Sequence, residues 1–382
     1  MIVCVRIDNY GRLFHSRAEF TLSRIMARTP TRLLIAASGT GGHLFPALAL
    51  AERLPDYEIE WLGVPDRLEQ SLVPKTYPLH TIPIEGFQTR FGLKTLKILF
   101  GQLRAIWQVR NLIKKRQIAA VFTTGGYIAG PTILAARLAN IPVILHESNY
   151  IPGKVTKVLG RWCDTVALGF QGTASYLPGT RTTWVSTPVR EQFLIPQSLD
   201  LPIPEDAFLI VVAGGSQGAV ALNQIVRQSA PQWLEKGIYI VHLTGENDPE
   251  ADSLRHSNYF SRPFYDNMAG LWQRANLAIS RSGAGTLTEL AITCTPSILI
   301  PYPFAAEDHQ FYNAKVFAEA QAAYLYRQNE LTAQFLSELV LDLWSNPEKL
   351  AAMAQQASHL AISDSADLLA DLLRRKSQKD SF

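Results

Sequence analysis

Cysteine is scarce. Three occur in 382 residues (Cys4, Cys163 and Cys294), with no Cys-x-x-Cys pair. That excludes a disulfide framework and a cysteine zinc site, and it points to a reducing compartment. Long apolar runs are missing as well. None approaches the ~20 residues of a membrane-crossing helix, so any membrane contact is peripheral. An excess of one charge is also lacking: the formal net charge of +3 gives no footprint for a nucleic-acid partner. Both common nucleotide fingerprints are absent. The first glycine turn carries Gly39 and Gly41 but has Leu44 where a dinucleotide turn needs its third glycine, and no glycine loop ends in Gly-Lys-Ser/Thr.

What is there is a chain 47% hydrophobic, long enough for two domains with substantial cores. Its organising stretch is RLLIAASGTGGHLFPALALAERL, Arg32 to Leu54. A short apolar run reads as a buried parallel strand, and Leu44, Leu48, Ala51 and Leu54 recur at helical spacing. Between them lies Ser38-Gly39-Thr40-Gly41-Gly42-His43. Strand, glycine turn and helix in that order bring backbone N–H groups and a helix N-terminus to one point, which attracts phosphate. His43 places a titratable imidazole beside it. The plain alternative is a tight turn with a histidine packed over it.

Further strands are expected at 58–62, 79–84, 118–123 and 143–146, with a helix beginning in 64–70 and another over 131–138. Four prolines between Pro188 and Pro204 mark a linker, after which the alternation restarts with FLIVVA and a second glycine turn, GGSQG. Later strands are expected at 238–243, 277–280 and 297–301. The fold class is therefore α/β: two doubly wound Rossmann-like halves facing each other across a cleft, with ligands at the carboxyl ends of the strands. The expected division is a disordered extension over 1–29, a first domain over 30–190, a linker over 191–204 and a second domain over 205–363, with a helix over 364–376 docking back on the first. The extension lacks the features of a signal peptide, and Met26 is the expected true start.

Four stretches carry chemistry. GGSQG offers amides and the Ser216 hydroxyl at a helix start, suited to a pyrophosphate or to simple capping. Ser280 to Leu290 is a third small-residue turn, in which Glu289 can accept both hydroxyls of a ribose or merely complement the helix dipole. Glu307 to Asn313 gathers polar side chains, among which Asp308 and Gln310 can recognise hexose hydroxyls. From Phe87 to Arg116 eight basic residues (Arg90, Lys94, Lys97, Arg104, Arg110, Lys114, Lys115, Arg116) accompany an apolar stripe of Leu96, Leu99, Leu103, Ile106 and Trp107. That face can rest on an anionic membrane surface or pack on the core with a solvated basic back.

GTGGHLFPALALA, TTGGYIAGP, LHESN, GGSQGA, RSGAGTLTEL and DHQFYNA, in that order over about residues 32–375, resemble the MurG family of peptidoglycan glycosyltransferases, in glycosyltransferase family 28. The resemblance implies a GT-B fold and an inverting transfer of N-acetylglucosamine from UDP-GlcNAc to the C4 hydroxyl of MurNAc in lipid I (undecaprenyl-pyrophosphoryl-MurNAc-pentapeptide). It also implies peripheral attachment to the cytoplasmic side of the inner membrane and a part in cell-wall growth, shape and division. Carried over by motif, Thr40, Gly41, Gly42, Asn149, Arg190 and Ser216 belong to the UDP-GlcNAc site. So do Tyr265, Ala284, Gly285, Thr286, Leu287, Thr288, Glu289 and Gln310, and Tyr127 belongs to the acceptor face. The family's Gly-Asn-Pro ahead of the arginine reads Ser186-Thr187-Pro188 here, and its Glu-Gln-Asn reads Glu147-Ser148-Asn149.

For such a reaction the acceptor hydroxyl must lose a proton, and His43 is the expected base, with Glu147 next in line. No Asp-x-Asp occurs, so no metal and no cofactor are expected. The rival acceptor is a diacylglycerol, as in a glycolipid synthase of the same superfamily. An oxidoreductase on paired Rossmann-like domains and a non-enzymatic nucleotide-sugar binder are the readings from other classes.

Overall fold

The computed structural model describes residues 30–84, 93–215 and 219–377, and of 93–97 the helical backbone alone. The extension over 1–29 with Met26, Arg90, the side chains of Lys94, Leu96 and Lys97, and Ser216 lie outside the described residues.

The first unit is a seven-stranded parallel sheet, β1 (Thr31–Ala36), β2 (Tyr57–Gly63), β3 (Leu79–Thr81), β4 (Ala120–Thr123), β5 (Val143–Glu147), β6 (Thr165–Leu168) and β7 (Thr182–Trp184), in the order β3-β2-β1-β4-β5-β6-β7. Its helices are α1 (Gly41–Glu52), α2 (Glu69–Leu72), α3 (Leu93–Arg116), α4 (Gly126–Leu138) and α5 (Lys154–Leu159). The alternation of β1 feeds two cores. Leu33 and Ile35 join α1 on one face, while Leu34 and Ala36 join α3 and α4 on the other.

The second unit is a six-stranded parallel sheet, β8 (Leu209–Ala213), β9 (Tyr239–Leu243), β10 (Tyr259–Arg262), β11 (Leu277–Ser280), β12 (Ser297–Leu299) and β13 (Ala323–Leu325), in the order β10-β9-β8-β11-β12-β13. Helices α6 (Val220–Leu234), α7 (Met268–Arg274), α8 (Ala284–Ile292), α9 (His309–Glu319), α10 (Ala333–Ser345) and α11 (Pro347–Leu360) cover it. Ile210 and Val212 face one core, and Leu209, Val211 and Ala213 the other.

The chain crosses between the units twice. The proline-bearing stretch after β7 is no free tether, because Val189 and Phe193 are buried in the second unit's core, with Leu194, Leu199, Leu201 and Ile203 packed against it. The last helix, α12 (Ser365–Ser377), returns to the first unit. Its Leu369, Ala370 and Leu373 fill the core of Leu33 and Ile35, and Arg374 pairs with Asp56 at 2.8 Å.

α3 departs from the expected one-faced helix. Ala105, Val109 and Ile113 seat it on the core, with Ile106 half-buried beside them. The other apolar stripe, Leu99, Phe100, Leu103 and Trp107, is exposed.

Candidate active site

Both sheets end their central strands at glycine turns. In the first, the Ala36 carbonyl accepts from Thr123 Oγ1 (2.7 Å) and the Ala37 carbonyl from Trp61 Nε1 (2.9 Å), so the strand end is fixed before the turn begins. Thr40 takes the N-cap position of α1 with extended backbone and no side-chain cap bond. The opening amides of a helix have no intrahelical acceptor, so those of Gly41 and Gly42 are open to an anion. Gly41 leaves room for the Phe45 ring: a Cβ there would meet it at 2.7 Å, so a larger residue would have to displace the ring.

His43 is half-buried, and its Nδ1 lies 2.8 Å from the Thr124 carbonyl. A carbonyl only accepts, so Nδ1 carries the proton and Nε2 keeps a free lone pair. The ring lies over the turn of Gly125 (φ 90°) and Gly126 (φ 74°), both in backbone that disfavours side chains. A Cβ at Gly126 would stand 3.7 Å from His43 Nε2, in van der Waals contact with the basic nitrogen. Tyr127 follows in the first turn of α4, 52% exposed.

Arg190 joins the two units. Its guanidinium lies 4.2 Å from the centroid of Phe45 in α1, 5.2 Å from that of Phe193, and 3.8 Å from Glu289 Oε1 in α8. Glu289 also accepts from Trp272 Nε1 (3.4 Å). Burial pushes the Glu289 carboxyl up to about 7 against the opposing pull of Arg190 and Trp272. Burial likewise lowers the Arg190 pKa, and its Nε is buried with no hydrogen-bond partner among the described residues. The guanidinium suits an anion, and the carboxylate suits a pair of hydroxyls.

At the other side of the cleft, Asn149 belongs to a bridge between the units. Asn313 of α9, fully buried, donates to Asn149 Oδ1 (3.1 Å) and the Ser282 carbonyl (3.3 Å), and accepts from the Tyr150 amide (2.8 Å). The Tyr150 and Tyr312 rings stack at 6.5 Å, and Lys157 pairs with Glu307.

The six-residue run at α8 divides by role. Ala284, Gly285 and Thr286 open the helix and expose amides. Leu287 is fully buried in the core, and the Thr288 hydroxyl donates to the Ala284 carbonyl. Gln310 Oε1 accepts from the Ser282 and Tyr302 amides (3.3 and 3.0 Å), so its own amide N–H groups are what a sugar would meet. Tyr265 packs half-buried against the second unit's core, and burial raises the pKa of its hydroxyl.

Asp308 Oδ2 pairs with Arg327 at 2.6 Å, which leaves Oδ1 of this partly exposed carboxylate to meet a hydroxyl. One expectation is corrected. Glu147 is not a reserve base. One oxygen accepts from the Asn149 amide (3.1 Å), the other from the Gly153 amide (2.9 Å) and Thr156 Oγ1 (2.6 Å), so the buried carboxylate is used to build the loop. Among the described residues no group of three or more His, Cys, Asp or Glu is placed to hold a metal ion. Phe45, Thr124 and Asn313 escaped sequence reasoning. An aromatic ring three residues past the glycine pair is the one local signal, for Phe45.

The departure at Ser186 has a measurable cost. Ser186 sits at φ 64°, its carbonyl held by buried His146 at 2.9 Å, and burial pushes that imidazole down to about 4, leaving it neutral. Left-handed backbone costs a side-chain-bearing residue roughly 1–2 kcal/mol, and glycine's extra chain entropy offsets part of that. Ser186→Gly should therefore raise stability by up to about 1 kcal/mol, read as a higher urea midpoint. A lower midpoint would contradict this account of the turn.

Comparison with known proteins follows the same division. The family model described as the glycosyltransferase family 28 N-terminal domain matches residues 33–168, and that for the C-terminal domain matches 209–369. A curated relative from Microcystis aeruginosa (strain NIES-843 / IAM M-2473) is 98% identical over 357 residues, 94% of this chain and 100% of its own length. It is named UDP-N-acetylglucosamine–N-acetylmuramyl-(pentapeptide) pyrophosphoryl-undecaprenol N-acetylglucosamine transferase. One of the same name from Gloeothece citriformis (strain PCC 7424) is 70% identical over 91% of this chain and 97% of its own. The crystal structure of Acinetobacter baumannii MurG matches with a TM-score of 0.74 at 31% identity, over 91% of this chain and 100% of that one. The two matched segments take in the central strands of both sheets and the glycine turns that open α1 and α8, and the chain belongs to glycosyltransferase family 28.

Proposed function

We propose that this chain transfers N-acetylglucosamine from UDP-GlcNAc to the C4 hydroxyl of MurNAc in undecaprenyl-pyrophosphoryl-MurNAc-pentapeptide, with inversion, as a step of peptidoglycan synthesis. The observation that carries the reading is 98% identity over the full length of a relative named for that transfer. His43 Nε2 takes the proton of the attacking hydroxyl, whose oxygen bonds to the anomeric carbon as the bond to the UDP oxygen breaks on the opposite face. The diphosphate departs with the electron pair. Its charge is met by the open amides of α1 and α8, which are oriented before the reaction, and by Arg190 once it turns from Glu289. Glu289, freed from Arg190, accepts the ribose hydroxyls. UDP release measured with a lipid I analogue and with diacylglycerol tests the reading. Release with the first alone is expected, and release with diacylglycerol alone would transfer the assignment to a glycolipid synthase.

The same reading places the enzyme peripherally on the cytoplasmic face of the membrane that holds its acceptor. No helix among the described residues is long and apolar enough to cross a membrane. The exposed stripe of Leu99, Phe100, Leu103 and Trp107 (71% exposed at Phe100, 64% at Trp107) has Lys114 further along its face and Arg104 and Lys115 at its flank. That combination suits insertion among anionic headgroups. Burying one such side chain is worth about 1.5–3 kcal/mol, so Trp107→Glu should weaken co-sedimentation with anionic vesicles about tenfold or more. Unchanged sedimentation, or equal binding to neutral vesicles, would contradict the membrane face.

A further inference from the structure

Glu69 is a charged side chain with no exposed surface, and the transferase mechanism above does not use it. It opens the four-residue helix α2, yet its side chain serves the first glycine turn, 30 residues upstream. Oε1 accepts from Ser38 Oγ (2.6 Å) and from the Val64 amide (2.7 Å), and Oε2 accepts from the Gly39 amide (3.3 Å). Gly63 makes room for it: a Cβ there meets Glu69 Cγ at 2.7 Å and Oε1 at 2.8 Å. Gly39 itself is at φ 104°, a conformation with no strand or helix partner for its N–H, and the carboxylate supplies one.

We infer that Glu69 is a positioning residue for the transfer. Its carboxylate fixes Ser38 and Gly39, and so sets where Thr40, Gly41, Gly42 and the His43 imidazole stand relative to the acceptor hydroxyl. A buried carboxylate with three hydrogen bonds is a stiff anchor, because each lost partner leaves a charged acceptor dry. The Gly39 amide is consumed by this internal anion, so in the first unit a ligand phosphate meets the amides of Gly41 and Gly42 and not that of Gly39. The inference rests on the reading that His43 delivers the chemistry. Displacements of about 1 Å at such a group cost on the order of a hundredfold in rate.

Glu69→Gln separates anchoring from mere filling. The amide oxygen can keep Ser38 and Val64, while its NH2 is set against the Gly39 N–H, donor to donor. The experiment measures kcat, KM for UDP-GlcNAc and the melting midpoint of wild type, Glu69→Gln and Gly63→Ala, the last pushing the carboxylate aside without removing it. Expected is a fall in kcat of tenfold or more in both variants, KM within about threefold of wild type, and native circular dichroism at the assay temperature. Wild-type kcat in folded Glu69→Gln overturns the inference, whether or not its midpoint has dropped, since only a structural role moves the midpoint alone. Should wild type itself fail to release UDP with the lipid I analogue, the transferase reading fails first, and the role of Glu69 in that transfer falls with it.

Discussion

Replacing His43 by alanine should lower kcat by about 10²–10⁴-fold while UDP-GlcNAc binds as before, the range expected for loss of a general base. The split follows from geometry. The nucleotide's anchors in this account are Arg190, Glu289 and the backbone amides that open α1 and α8, and among the described residues the imidazole bonds to none of them. Its contacts are the Thr124 carbonyl and the glycine turn at α4. His43→Asn adds a control, because its amide can still donate to Thr124 but carries no base. It should be as slow as the alanine variant. Isothermal titration with UDP-GlcNAc and UDP release with a lipid I analogue read the two halves separately. A rate within tenfold of wild type in both variants would remove His43 from the proton transfer.

Glu289→Gln should stabilise the free enzyme at high pH and weaken its hold on the donor. A glutamate whose carboxyl is pushed up to about 7 holds in the native state a proton that the unfolded chain has lost above about 4.5. Native stability therefore declines as pH rises from about 4.5 to about 7, and the full penalty stands above that window. At about 1.4 kcal/mol per pH unit the penalty is about 3 kcal/mol. Glutamine carries no such proton and escapes it, although Arg190 loses its ion partner and that offsets part of the gain. The urea midpoint of the variant should exceed that of wild type at pH 8, with the gap closing toward pH 5. Donor affinity should move the other way, about tenfold weaker or more, because a neutral amide accepts ribose hydroxyls less well than a carboxylate. A variant no more stable at pH 8, or one binding UDP-GlcNAc at full strength, would contradict the assigned environment or the assigned role.

The parts of this molecule legible in the sequence are those set by local backbone physics. The buried central strands β1, β4, β5, β8 and β11 announce themselves as short apolar runs, and a glycine turn between such a run and a helix leaves open amides. Strands β6, β7, β10 and β13 carry no such signal: Thr182–Trp184 and Tyr259–Arg262 mix polar with apolar side chains, and Thr165–Leu168 and Ala323–Leu325 have no glycine-rich turn after them. Pro131 reads as a helix start, yet α4 begins at Gly126 and takes the proline into its interior. Two consecutive positive-φ glycines hide the true start. Within the site, Glu69, Asn313 and the stacking of Arg190 on Phe45 join residues about 30 to 160 positions apart. No local pattern encodes such pairings. Glu147 shows the converse, since a carboxylate in a promising motif can have both oxygens taken by neighbours its sequence does not name.

A structure of the chain with UDP-GlcNAc bound tests the central claim most directly. The account predicts the ribose on Glu289, the diphosphate between the N-termini of α1 and α8 with Arg190 turned onto it, and the anomeric carbon facing His43 Nε2 across room for one hydroxyl. A sugar lodged outside that gap, or a diphosphate that leaves the Arg190–Glu289 pair intact, would contradict it.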